Sequence, residues 1–113
     1  MSRLNYGRHL PAFILLFLAK ESTHGSMLLN KINETMPNIK ADGPAIYRAL
    51  SELEKSDAVE AFWDTTNPGA AKKCYTITEE GCRLLSEFNN DIKERKKNLE
   101  YFLSEFDTLD FKK

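Results

Sequence analysis

From Leu10 to Ala19 the chain is apolar at every position (LPAFILLFLA), which predicts a helix buried on all sides with Pro11 in its first turn. Ser22, Thr23, His24 and Gly25 break it and supply a cap for the next helix. That helix carries Met27, Leu28, Ile32 and Met36 on one side, with Asn30, Lys31, Asn33 and Glu34 facing out, and stops before Pro37. A third helical period follows. Ile46, Ala49, Leu50 and Leu53 form its apolar stripe, and Pro44, Arg48, Ser51 and Lys55 form the opposite ridge. Asp42 is placed to cap it, and Pro44 falls in the first turn, where a missing N–H costs nothing. Beyond Ser56, Asp57 is the residue that best tolerates a left-handed helix end.

The period then shortens to two. Val59, Ala61 and Trp63 alternate with Glu60, Phe62 and Asp64; a turn cluster follows at residues 65–69, and Lys72 to Ile77 returns with Tyr75 and Ile77 on one face. Three helices on short turns, followed by a hairpin with Lys72 and Lys73 near its tip, predict a winged helix-turn-helix. Its third helix has the form of a DNA recognition helix; the plainer reading is an amphipathic helix with a solvated face. Thr78 caps a last helix, with Glu79 and Glu80 complementing its dipole. Along it Leu85, Phe88, Ile92, Leu99, Phe102, Phe106 and Leu109 occupy the a and d positions of a heptad broken only by Arg95. The stretch 78–109 spans about 48 Å, more than a three-helix core covers, so it is expected to pair with its copy in a second subunit and to pack on the first helix. The rival is a lone helix folded back on its own domain. The expected class is mainly α with a small β-hairpin: a winged-helix domain over residues 1–78 and a dimerisation helix over 79–113.

Composition narrows the function classes. A chain of 113 residues, 42% hydrophobic and 29% charged, is globular and holds one domain, or a small domain plus one long element. Residues 1–78 hold nine Lys and Arg against eight acids, net +1, and residues 79–113 hold seven against nine, net −2, so any nucleic-acid binding rests on a few placed cations. Cys74 and Cys82 lie at no metal-ligand spacing and read as a reduced pair. Arg3 and Arg8 before the apolar run imitate a signal peptide, but the run is too short to span a bilayer and Lys20 and Glu21 occupy the cleavage position, so a cytoplasmic protein is expected. An enzyme finds little support. His9 and His24 are the only histidines, no acid is spaced to orient either, and no phosphate loop, metal cluster or cofactor motif appears.

In order and spacing these features resemble the PadR family of bacterial transcriptional regulators, in its short form with one C-terminal helix. The residues that carry the likeness are the apolar first helix with His24-Gly25, then Ile46-Tyr47-Arg48-Ala49-Leu50 with Leu53-Glu54, Val59-Glu60, Trp63, Tyr75-x-Ile77-Thr78 and Glu79-Glu80-Gly81. Asp42, Tyr47-Arg48 and Trp63-Asp64-Thr65 look most like a polyhydroxybutyrate-responsive branch. The resemblance implies a homodimeric DNA-binding protein, usually a repressor, whose C-terminal helix makes the dimer. On this chain the candidate DNA contacts are Pro44, Tyr47, Arg48, Ser51, Lys55, Lys72 and Lys73, with Arg3, Tyr6 and Arg8 as an N-terminal arm. Family members hold planar or apolar effectors at the dimer interface; Phe13, Phe17, Trp63 and Phe88, with Phe102, are the candidate pocket here, and plain core is the competing reading. Three departures weaken the expected backbone contacts: Asp57 where the family usually has Gly, Gly43-Pro44-Ala45 in place of a hydroxyl residue and Gly, and Ala70 and Ala71 at the wing tip. A protein-interaction module without DNA affinity is the alternative function.

Overall fold

The computed structural model describes residues 3–36, 38, 41–66 and 69–111, with side chains from His9 onward. Pro37, Asn67, Pro68 and the side chains of Arg3, Tyr6 and Arg8 lie outside that set. The elements run α1 (Arg3–Lys20), β1 (Thr23–His24), α2 (Gly25–Thr35), α3 (Gly43–Lys55), β2 (Val59–Asp64), β3 (Lys72–Ile77) and α4 (Glu79–Phe106).

One apolar core joins all but the far half of α4. Leu10, Ile14, Leu15 and Leu18 of α1 meet Leu28 and Ile32 of α2, Ile46, Leu50 and Leu53 of α3, and Ala58, Val59 and Tyr75 of the sheet. The first helix departs from expectation twice. Pro11 lies in its interior, where it costs one backbone hydrogen bond, rather than in its first turn. Nor is the helix buried all round: one side meets the core, another meets α4, and Leu16 and Ala19 remain exposed. On α2, Met27 is likewise exposed while Leu28 and Ile32 are fully enclosed.

The sheet has three strands, not two, in the order β1-β3-β2. Thr23 and His24 pair with Tyr75 and Cys74 on the free edge of β3, and the Ser22 hydroxyl donates to Thr76 Oγ1 at 2.9 Å. A two-residue strand carries no alternation; its pairing is set by the neighbouring edge rather than by its own pattern.

Caps fix where each helix begins. His24 Nδ1 accepts from the Met27 N–H at 3.3 Å and lies 2.9 Å from Ser26 Oγ at the start of α2. Asp42 Oδ1 accepts from the Ala45 N–H at 2.9 Å at the start of α3. Asn33 faces outward as expected and also clamps the connector between them: its amide donates to the Ala41 carbonyl at 3.1 Å and accepts from the Ala41 N–H at 3.2 Å. Asp57 ends α3 with a left-handed φ of 65°.

That turn is bolted to α4. Thr78 Oγ1 donates to the Asp57 carbonyl at 2.6 Å and accepts from the Gly81 N–H at 3.0 Å, while the Thr78 N–H donates to the Ala58 carbonyl at 3.1 Å. Gly81 is buried against the same peptide, and a Cβ there would overlap the Ala58 carbonyl oxygen. Leu84, Leu85 and Phe88 then pack on the core. The helix ends at Phe106, so Leu109 falls past its C-cap Asp107 and not on the helical seam. At 28 residues α4 is about 42 Å long, within a molecule 65 Å in its longest dimension.

Candidate nucleic-acid interface

The outer ridge of α3 is intact. Pro44, Tyr47, Arg48, Ser51 and Lys55 are all exposed, and among the described residues neither Arg48 nor Lys55 is ion-paired. The ridge borders a cleft of about 500 Å³ between α3, the start of α2 and the wing, lined by Ser26, Tyr47, Ser51, Glu54, Lys72 and Lys73 among others. Of the seven expected contacts, four therefore share one concavity: Tyr47, Ser51, Lys72 and Lys73.

Two side chains in the cleft are held in ways the sequence did not announce. The Tyr47 ring lies against Gly25; a Cβ on that glycine would stand 2.5 Å from Cε1 and 2.7 Å from the hydroxyl. The ring is half exposed, so it is braced on one side only and its hydroxyl sits beside the first turn of α2. Lys73 is not a free cation at the wing tip. Its Nζ lies 3.8 Å from Glu54 Oε1 of α3 and 5.6 Å from the centre of the Tyr75 ring. Lys72 pairs in register with Asp64, whose carboxyl is held below the usual carboxylate range by the Thr66 N–H and hydroxyl, with the Lys72 charge adding to the effect. Lys73 thus has an acid within ion-pair distance, and Lys72 stands opposite Asp64 in the ladder.

The four aromatic residues expected to share an effector pocket occupy three places. Phe13 and Phe88 line a small apolar groove with Leu16, Leu85 and Ile92, where α1 crosses α4. Phe17 faces elsewhere, under the Lys20 ammonium at 5.9 Å. Trp63 is in the wing and 63% exposed. They separate because successive turns of α1 point to different neighbours and β2 carries Trp63 past the core edge.

On α4 the apolar positions divide. Leu85, Phe88 and Ile92 are half-buried beside α1, whereas Leu99, Phe102 and Phe106 are exposed, as is Leu109 beyond the helix. Tyr101, Leu103 and Phe111, outside the expected seam, are also exposed. Phe106 stacks on Phe102 at 6.2 Å and meets Phe111 at 5.6 Å. Arg95, the break in the heptad, donates from Nε to Asp91 Oδ2 at 3.0 Å, and Lys96 and Lys97 pair with Glu100 and Glu94 on the solvated side.

Contrary to expectation, an acid does face a histidine. Asp91 Oδ2 stands 3.5 Å from His9 Nε2, too long for a good hydrogen bond. Arg95 first and His9 second hold the Asp91 carboxyl below its usual range. The trio ties α1 to α4 and opens onto no cleft seen at α3. Cys74 is buried, which pushes its thiol up, and Cys82 is exposed. Among the described residues no cluster of His, Cys, Asp and Glu is arranged to hold a metal ion. No described helix is long and apolar enough to cross a membrane.

Comparison with known proteins agrees with this architecture. Residues 14–87 match the Transcriptional regulator PadR-like family. A conserved protein of unknown function, described as a potential transcriptional factor, has a solved structure that is 32% identical, with a TM-score of 0.75 and 87% of each chain covered. A PadR family transcription regulator from Clostridium difficile is 21% identical with a TM-score of 0.75, covering 84% of this chain and 98% of its own. Bacillus subtilis PadR, solved in complex with operator DNA, is 24% identical with a TM-score of 0.66, covering 72% of this chain and 46% of its own.

Proposed function

We propose that this chain, which belongs to the PadR-like family of transcriptional regulators, binds operator DNA as a homodimer and represses the genes it controls. The observation that carries the reading is the shared cleft: an exposed ridge of α3, the first turn of α2 and the wing lysines border one concavity. In this reading two copies of α3 enter successive major grooves about 34 Å apart. Arg48 pairs with guanine through its two-pronged guanidinium, and Tyr47 and Ser51 position the helix on phosphate. Pro44 and Lys55 flank them. Lys72 and Lys73 add screened charge, Lys73 exchanging Glu54 for a phosphate. With alanines at the wing tip and a net charge of −1, affinity depends on the dimer rather than on one subunit.

The second subunit is supplied by α4, whose distal apolar positions lack cover within one chain. An apolar or aromatic effector has its best place at the groove of Phe13 and Phe88, which a second copy would deepen. The test is a mobility-shift titration on DNA from upstream of the chain's own gene, repeated over a range of salt. Saturable binding with a linear log–log salt slope is expected; a dimer that shows no binding at low salt favours the protein-interaction module instead.

A further inference from the structure

We propose that Trp63 is an apolar DNA contact of the wing, its indole lying on the deoxyribose wall of the minor groove beside the phosphate met by Lys73; this rests on the DNA-binding reading above. Directly paired residues of an antiparallel ladder share a face. The pairs Val59 with Ile77, Ala61 with Tyr75 and Trp63 with Lys73 therefore line one side of the wing. The first two pairs each have one member in the core, Val59 at 1% and Tyr75 at 5% exposed. The third runs past the core edge and leaves Trp63 63% exposed.

Its side of the wing is identified by its partner. Lys73 reaches Glu54 on α3, so Trp63 stands on the face of the hairpin that looks toward the recognition helix, continuous with the candidate interface. An indole next to an ammonium matches the alternation of a nucleic-acid backbone, in which each anionic phosphate adjoins an apolar sugar. With α3 in a major groove, a hairpin alongside it is carried onto the neighbouring backbone and minor groove, where apolar side chains of DNA-binding proteins commonly lodge. Such a contact adds affinity without counterion release, which suits a chain whose net charge is −1.

The chain has one Trp, so its fluorescence reports on this residue alone when excited beyond tyrosine absorption. The full protein is titrated into labelled upstream duplex, reading DNA anisotropy and indole emission together. Anisotropy should rise and the emission should shift or quench with it. Trp63→Ala should weaken binding about tenfold at every salt concentration with an unchanged salt slope. Trp63→Phe should recover most of the loss, and Lys73→Ala should flatten the slope. Unaltered thermal melting of the variants would show that the fold is intact. DNA binding with unchanged emission and an unaffected Trp63→Ala overturns the contact while leaving the DNA-binding reading in place. An emission already blue-shifted in free protein, and dependent on its concentration, assigns Trp63 to the dimer interface and also overturns it. No anisotropy change at any salt removes the DNA-binding reading itself, and this proposal with it.

Discussion

The Tyr47 ring rests on Gly25, with the space of a missing Cβ filled by the ring edge. One residue opens α2 and the other sits on the outer ridge of α3, so the glycine sets where a ridge side chain points. Because Tyr47 is half exposed, the ring can swing away from a methyl group without disturbing the core. Gly25→Ala should therefore leave the melting temperature nearly unchanged and weaken DNA binding about fivefold, the worth of one displaced hydrogen bond. Tyr47→Phe should cost about the same, and the double variant little more, since both remove one contact. Additive losses in that cycle would separate the two residues.

Gly81 shows the opposite case. Here the neighbour is the Ala58 backbone carbonyl, which cannot step aside. Gly81→Ala should push α4 off the turn at Asp57 and destabilise the fold by about 2–4 kcal/mol, read from urea unfolding, with far-ultraviolet helix content lost only in the transition. Thr78→Ala, which removes the cap alone, should cost about 1 kcal/mol. Equal effects of the two would locate the strain elsewhere.

Lys73 and Glu54 make a prediction of opposite sign. Both are more than a third exposed, so their ion pair adds little stability in water. In a complex, however, Glu54 competes with phosphate for the ammonium and repels the duplex. Glu54→Gln should leave stability within about 0.5 kcal/mol of the parent while raising DNA affinity and steepening the salt slope. The gain should appear on random-sequence DNA as well, lowering discrimination between operator and bulk. Unchanged affinity would mean that Lys73 stays on Glu54 when DNA binds.

These pairs also mark where the sequence stopped being readable. The caps Asp42 and Thr78 and the left-handed Asp57 are visible because capping is local chemistry within three or four residues. The α3 stripe is visible because helical periodicity needs only its own segment. Gly25 with Tyr47, Lys73 with Glu54 and Asn33 with Ala41 depend on how elements dock, which no period encodes. The strand Thr23–His24 was hidden because β3, not its own two residues, makes it a strand. Phe13, Phe17, Trp63 and Phe88 lie apart within one chain for the same reason: shared chemistry does not imply a shared place.

The far half of α4 gives the clearest test of assembly. Leu99 is 64%, Phe102 62% and Phe106 49% exposed, and they recur at heptad spacing on a helix whose other side is laced with ion pairs. Water-exposed apolar positions of that size along a helix are costly unless another surface covers them. Leu99→Ser with Phe102→Ser should convert the proposed dimer to a monomer by sedimentation equilibrium, without unfolding the winged-helix core, because neither residue belongs to that core. DNA affinity should fall much more than Lys73→Ala lowers it, since one half-site contact is lost entirely and with it the gain from linking two sites. The proximal positions provide the control. Phe88 packs on the core as well as lining the groove beside α1, so Phe88→Ser should lower the melting temperature together with dimer affinity. A double distal variant that remains dimeric would move the interface to the groove of Phe13, Leu16 and Phe88 and leave the distal helix without a structural role.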